Sequence, residues 1–120
     1  MPARIIDPAE GRAALAAVRD GATDRATTAT TVRFLLQSLA AAVPGNSVEV
    51  RVPPFGAVQA VPGPRHTRGT PPNVVEMDAR TWIALATATL TWPEAVAAAR
   101  VIASGSRADL TDHLPVRLPD

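Results

Sequence analysis

The sequence predicts an α+β fold in which helices pack against a small mixed sheet of about four to five strands. Two observations support this prediction. Apolar residues recur at helical spacing before residue 44, and an alternation of period two follows from Ser47 to Val52. Further along the chain, short β-prone runs alternate with helix-start signals, which is the order of elements expected from a layered helix-and-sheet fold.

The length of 120 residues is that of a single domain, which we place at residues 1–120. Residues 1–45 are predicted to be helical, and residues 46–120 to form the sheet and the C-terminal helices. Hydrophobic residues make up 47% of the chain but aromatic residues only 3%, and many apolar residues are alanine. The core should therefore be shallow.

Charge and residue content argue against several classes of function. The net charge is +1 and the arginines are scattered among acidic residues, so we expect no nucleic-acid partner. The absence of cysteine excludes disulfides, thiolate catalysis and Cys-based metal sites. No stretch approaches the ~20 apolar residues that cross a bilayer, so we expect a cytoplasmic protein without a transmembrane segment.

Local signals place two helices in the first part of the chain. Asp7 and Pro8 cap and open a helix that Asp20-Gly21 ends near Arg19. A run of threonines leaves the start of the second helix open, since their hydroxyls also favour caps. This second helix is indicated by an apolar face made of Val32, Leu35, Leu36, Leu39 and Val43.

Three strands are predicted next. Valine alternates with polar residues from Ser47 to Val52, which indicates a strand with one face toward solvent. Phe55 to Val61 and Val74 to Met77 are β-prone as well. The segment from Pro62 to Pro72 lies between them and is the longest predicted loop.

The last part of the chain has clear start signals. Asp78 caps a helix, and Thr91 to Glu94 form a capping box for the next one. Arg100 to Ser104 has the character of a strand. Ser106 is then expected to cap a last short helix from Arg107 to Leu114.

This order of elements from Asn73 to Leu110 resembles the C-terminal part of sterol-carrier-protein domains, in a small bacterial form of the actinobacterial type. The resemblance covers about the last third of the chain, and the first half matches only in the order of its elements. Ala88 and Ala99 depart from the pattern, because they stand where the family has glycine. The matching residues are Asp78, Trp82, Leu85, Leu90, Pro93, Ala95, Val101, Ile102, Gly105 and Leu110.

The resemblance implies an apolar tunnel for a fatty acyl chain or a sterol between the sheet and the helices. The residues that we expect to line it are Phe55, Val58, Val75, Trp82, Leu85, Leu90, Val96 and Val101. The alternative is that these side chains fill the core, because a pocket of ~300 Å³ or more leaves few residues for packing in a short chain.

Polar residues concentrate in the long loop, where Arg65, His66 and Arg68 are candidates for holding an anionic head group. The alternative is a solvated turn. His66 and His113 are the two histidines and lie far apart in the sequence, so we expect no metal site. Asp109 and His113 have helical i,i+4 spacing, which usually gives a modest surface contact. No Gly-x-Ser-x-Gly motif supports nucleophilic catalysis.

Together these features predict a non-enzymatic carrier of a fatty acyl, acyl-CoA or sterol-like ligand, with no cofactor and no catalytic residue. The alternative function is a structural or protein-interaction module of the same fold without a lipid, in which the alanine-rich first helix mediates a homodimer. A third interpretation is an accessory domain similar to the sterol-carrier-like modules of thiol-dependent isomerases.

Overall fold

The computed structural model describes residues 4–64 and 72–120. These residues form an α+β fold of helices and a mixed sheet, which confirms the predicted fold class. The helices are α1 (Pro8–Arg19), α2 (Arg25–Ala42), α3 (Ala79–Ala86) and α4 (Trp92–Ala97). The strands are β1 (Val48–Val52), β2 (Gly56–Ala60), β3 (Val74–Met77) and β4 (Val101–Ser104).

The four described strands form one sheet in the order β2-β1-β3-β4. The β1–β2 and β3–β4 pairs are antiparallel, whereas β1 and β3 run parallel. In this register Val50 lies between Val58 and Val75. The three valines of β1 are fully buried, while Arg51 between them is exposed. The sheet therefore has one face toward the core and one toward solvent, as the alternation of period two predicts.

The core lies between this sheet and helices α2 and α3. Helix α2 contributes Val32, Leu35, Leu36 and Leu39, none of them more than 1% exposed. Helix α3 contributes Trp82, whose Nε1 donates a hydrogen bond to the Val32 carbonyl oxygen at 3.3 Å. Helix α1 packs on the other side of α2 through Gly11 and Leu15. This packing sets the positions of α1 and α3 relative to one another through α2.

Side-chain caps define the helix starts. Asp7 accepts from the Ala9 N–H, and Asp78 accepts from the Thr81 N–H at 2.8 Å, so both predicted caps are confirmed. The capping box of α4 is also present. The start of α2 is decided by Asp24, whose Oδ2 accepts from both the N–H and the hydroxyl of Thr27. The threonines after Asp24 therefore lie inside the helix.

The predicted last helix from Arg107 to Leu114 is wrong. The structure has a 3₁₀ turn there, limited to Thr111–His113, and Ser106 caps no helix. The reason is local, since Oδ1 of Asp109 accepts from the Thr111 N–H at 2.8 Å and from its hydroxyl at 2.6 Å. Such side-chain-to-backbone bonds compete with helix formation. No α-helix spans Asp109 and His113, although the pKa of Asp109, which is lowered chiefly by the Thr111 hydrogen bonds, is lowered further by the nearby His113.

Two alanines occupy backbone positions that favour glycine. Ala88 after α3 has a φ of 66° and Ala99 after α4 has a φ of 56°. These are the two positions where the resemblance led us to expect glycine. The left-handed conformation costs a residue with a Cβ roughly 1–2 kcal/mol. The turns thus keep the backbone geometry that glycine adopts readily, and the free energy of unfolding is lower as a result.

Replacing Ala88 or Ala99 with glycine should raise the free energy of unfolding by about 0.5–1 kcal/mol each, because relief of the left-handed strain exceeds the added entropy of the unfolded chain. Urea denaturation would measure the change. The matched control is Ala16→Gly on the exposed face of α1, which should cost about 1 kcal/mol. A loss of stability at Ala88 as large as that at Ala16 would contradict the prediction.

Candidate functional site

A groove of about 640 Å³ opens on the helical side of the fold. Its first wall is the end of α1 with the turn that follows, and its second wall is one face of α3. The start of α2 contributes Thr28. The first wall includes Val18, Arg19 and Ala22, and the second includes Ala79, Arg80, Ile83, Ala84 and Thr87.

The turn after α1 shapes the first wall. Gly21 has a φ of 104°, which suits the left-handed end of a helix. The Gly21 N–H donates to the Val18 carbonyl at 3.0 Å, and the Ala22 N–H donates to the Ala17 carbonyl at 2.9 Å. These bonds fold the chain back over the last turn of α1. Val18, Arg19 and Ala22 thereby reach the same side of the groove.

The second wall is a face of α3 that does not take part in the core. Trp82 and Leu85 point into the core and are 0% and 1% exposed. Ala79, Ile83 and Thr87 lie four residues apart and share a different face, which is half-buried. Alanine is the shortest apolar side chain, so the alanines on both walls leave open space between the helices.

Two of the four threonines that line the groove donate hydrogen bonds to backbone carbonyls of α3. The Thr87 hydroxyl donates to the Ile83 carbonyl at 2.7 Å, and the Thr89 hydroxyl donates to the Ala84 carbonyl at 3.2 Å. These threonines therefore do not add unpaired donors to the walls.

Charge in the groove comes from arginine. Within residues 4–64 and 72–120, the ion pairs join Arg4 to Glu10 and Arg51 to Glu49, and they involve neither Arg19 nor Arg80. Asp78 precedes Arg80, and its pKa lies below the ordinary range, chiefly because the Thr81 N–H donates to its carboxylate. Arg100 and Arg80 lower this pKa further.

The residues expected to line a lipid tunnel are divided by the structure into three environments. Val75, Trp82 and Leu85 are buried in the core between the sheet and the helices. Val96 is 51% exposed on α4. The others, which are Phe55, Val58, Leu90 and Val101, are half-buried and pack against the core. None of the eight lines the groove, and their contact with a lipid stays a prediction.

Two of these residues meet at a smaller cavity. Leu85 and Leu90 line a space of about 210 Å³ between the end of α3, the start of α4 and the C-terminal segment. Trp92, Leu114 and Pro115 close its other sides. Its volume is below the roughly 300–1,000 Å³ of ordinary small-molecule sites. This cavity is therefore a poorer candidate than the groove.

The head-group candidates Arg65, His66 and Arg68 lie outside the described residues, and their role stays a prediction. In the part of the chain that the structure describes, no group of three or more His, Cys, Asp or Glu residues is placed to hold a metal ion.

Among the helices that the structure describes, none combines the length and the apolar character needed to span a bilayer.

Sequence reasoning missed the groove residues on both walls. The alanines of α3 at positions 79 and 84 and the Asp20-Gly21 helix end are visible in the sequence. They do not indicate that the end of α1 lies opposite α3. That relation depends on how both helices pack against α2, which no local pattern records.

The fold and the groove define a small α+β domain with an open, largely apolar groove in its helical layer. A family model described as bacterial SCP ortholog matches residues 24–116. The match covers most of the chain, which therefore belongs to this family, and the sterol-carrier resemblance is confirmed. A comparison with curated proteins finds no match. The matched segment contains α2, α3, α4 and the four described strands, while α1 precedes it.

Proposed function

We propose that this chain is a non-enzymatic, cytoplasmic carrier domain that holds a fatty acyl, acyl-CoA or sterol-like ligand in the groove between α1 and α3. Membership of the bacterial SCP ortholog family supports a lipid-binding or carrier role. We place the ligand in this groove because it has a volume of about 640 Å³ and short apolar side chains on both walls. That volume falls in the ordinary range of small-molecule sites.

The ligand would partition from water into the groove, and its binding requires no chemical reaction. Each methylene group removed from water contributes about 0.8 kcal/mol, so ten of them contribute about 8 kcal/mol. Part of this gain is lost to the ordering of the ligand and of the groove side chains. Val18 and Ile83 are half-buried in the groove and offer apolar surface to an acyl chain. An amphiphile with a chain of about ten methylene groups would suit the site.

The test is a titration of delipidated protein with a fluorescent fatty acid. We expect saturable binding by the natural sequence and a weakening of at least about tenfold in Ala84→Trp, because the indole would occupy the groove. Ala13→Trp on the exposed face of α1 is the matched control, since Ala13 is outside the groove lining. Circular dichroism would establish that both variants are folded.

Two results would contradict the proposal in different ways. An absence of saturable binding up to the solubility limit of the probe would remove the carrier function. Equal affinities of Ala84→Trp and the natural sequence for the fatty acid would show that the ligand binds outside the groove. In that case the residues predicted from the sequence, such as Trp82 and Leu85, would become the next sites to test.

A second candidate function is a protein-interaction module that binds no lipid. Ile102 is 67% exposed on β4, which lies at one edge of the described sheet, and Val96 is 51% exposed on α4. An open strand edge with exposed apolar side chains can pair with another chain. A mass that rises with concentration in light scattering, together with no lipid binding, would favour this function. The proposed dimer through α1 would give the same rise in mass.

A further inference from the structure

The charged side chains that line the groove are both arginines, and they come from opposite walls. Arg19 lies in the last turn of α1 and Arg80 in the first turn of α3. The groove lining contains no Asp or Glu. An occupant of the groove therefore meets positive charge from both walls, and the rest of the lining consists of apolar residues and threonines.

Helix stability does not account for the position of Arg80. The N-terminal turn of a helix carries a partial positive charge, so a cation there is unfavourable for the helix. The Asp78 carboxylate accepts the Thr81 N–H as the helix cap, and although the nearby Arg80 further lowers its pKa, the two side chains form no ion pair. Asp24 likewise caps the start of α2, because its carboxylate accepts hydrogen bonds from the N–H and the hydroxyl of Thr27. These carboxylates cap helices and form no ion pair with either groove arginine.

We infer that the groove prefers ligands with an anionic head group, which Arg19 and Arg80 bind from the two walls. This inference rests on the proposed carrier function and narrows its ligand class. A guanidinium donates paired hydrogen bonds to a carboxylate or a phosphate, whereas a sterol or alcohol hydroxyl offers no charge to match. The apolar part of the ligand lies along Val18, Ile83 and Ala84.

Only one of the two groove arginines lies in the segment that matches the family model. Arg80 lies inside the segment that matches the bacterial SCP ortholog model, and Arg19 lies before it on α1. The preference for an anion therefore depends partly on a helix that the family match does not cover. Removal of the Arg19 charge should weaken anion binding without disturbing the matched fold.

The experiment compares three twelve-carbon ligands that displace the fluorescent fatty acid: dodecanoate, dodecyl phosphate and 1-dodecanol. At least one of the two anions should bind about tenfold or more tightly than the alcohol, as charge-assisted hydrogen bonds predict. The anion that binds more tightly indicates whether the groove prefers a carboxylate or a phosphate head group. Arg19→Gln, Arg80→Gln and the double variant should reduce this preference in steps, and 1-dodecanol should bind all of them equally.

Arg117→Gln is the matched control, because Arg117 is exposed and outside the groove lining. Equal binding of the alcohol and both anions by the natural sequence would overturn the charge preference and leave the carrier function intact. A parallel loss of all three ligands in Arg19→Gln or Arg80→Gln would also overturn it, because the arginines would then only support the walls. Failure of every ligand to bind would remove the carrier function itself.

Discussion

Replacing Trp82 with alanine should lower the free energy of unfolding by about 3–5 kcal/mol. Trp82 is the largest of the fully buried side chains, and its indole lies in the core between α3 and α2. The substitution removes this apolar area and leaves a cavity that the surrounding structure can only partly fill. It also removes the hydrogen bond from Nε1 to the Val32 carbonyl oxygen at 3.3 Å. The loss is a large fraction of the total stability of a small domain.

Urea denaturation followed by far-ultraviolet circular dichroism would measure this change. Trp82→Phe is the control, and it should cost clearly less because the ring still fills most of the space. If Trp82→Ala loses less than about 1 kcal/mol, the indole does not hold the core of the ligand-free protein. That result would instead favour the sequence-based assignment of Trp82 to a lipid contact.

Replacing Gly11 with alanine should destabilise the protein by about 1–2 kcal/mol, although alanine is the better helix former. A Cβ at position 11 would overlap the ring of Phe34, starting at the Cγ atom where the ring joins its side chain. Phe34 is only 2% exposed, so the ring has no free space into which it can move. Overpacking costs about 1–3 kcal/mol, and the overlap with three ring atoms places this case in the upper part of that range, so the gain in helix propensity of about 1 kcal/mol offsets only part of it.

A double-mutant cycle with Phe34→Leu separates these two contributions. Leucine leaves room beside α1, so Gly11→Ala should be much less costly in that background. The same displacement of α1 should weaken ligand binding in the groove, because Val18 and Arg19 lie two turns further along the helix. An increase of about 1 kcal/mol in stability for Gly11→Ala alone would show that α1 moves freely over α2, contrary to the packing described here.

The parts of the fold that could be predicted are those with local causes. The caps at Asp7 and Asp78 and the capping box at Thr91 depend on bonds between residues two or three apart. The buried valines of β1 follow from alternation along one strand. The last helix was predicted wrongly for a related reason, because the side chain of Asp109 competes for the same backbone groups that a helix would use.

The candidate site was less predictable than the fold. The sequence identified bulky residues such as Trp82 and Leu85 as lipid contacts, and the structure buries both in the core. The groove instead has small residues on its walls, for example Ala22 and Ala84. A short side chain in a sequence shows only that bulk is missing at one position. It does not show whether a neighbouring element fills the space.

The sequence by itself determined where α1, α3 and α4 begin, which face of β1 is buried and that Ala88 and Ala99 occupy turns. The order and spacing of these elements also supported the sterol-carrier resemblance, which the family model that matches residues 24–116 confirms. The tertiary structure alone decided that the turn alanines adopt a left-handed backbone and that Arg19 and Arg80 line the same groove. The physical reason is one of range. Caps and strand alternation act over a few neighbouring residues, whereas a groove is the space left when two distant helices pack on a third.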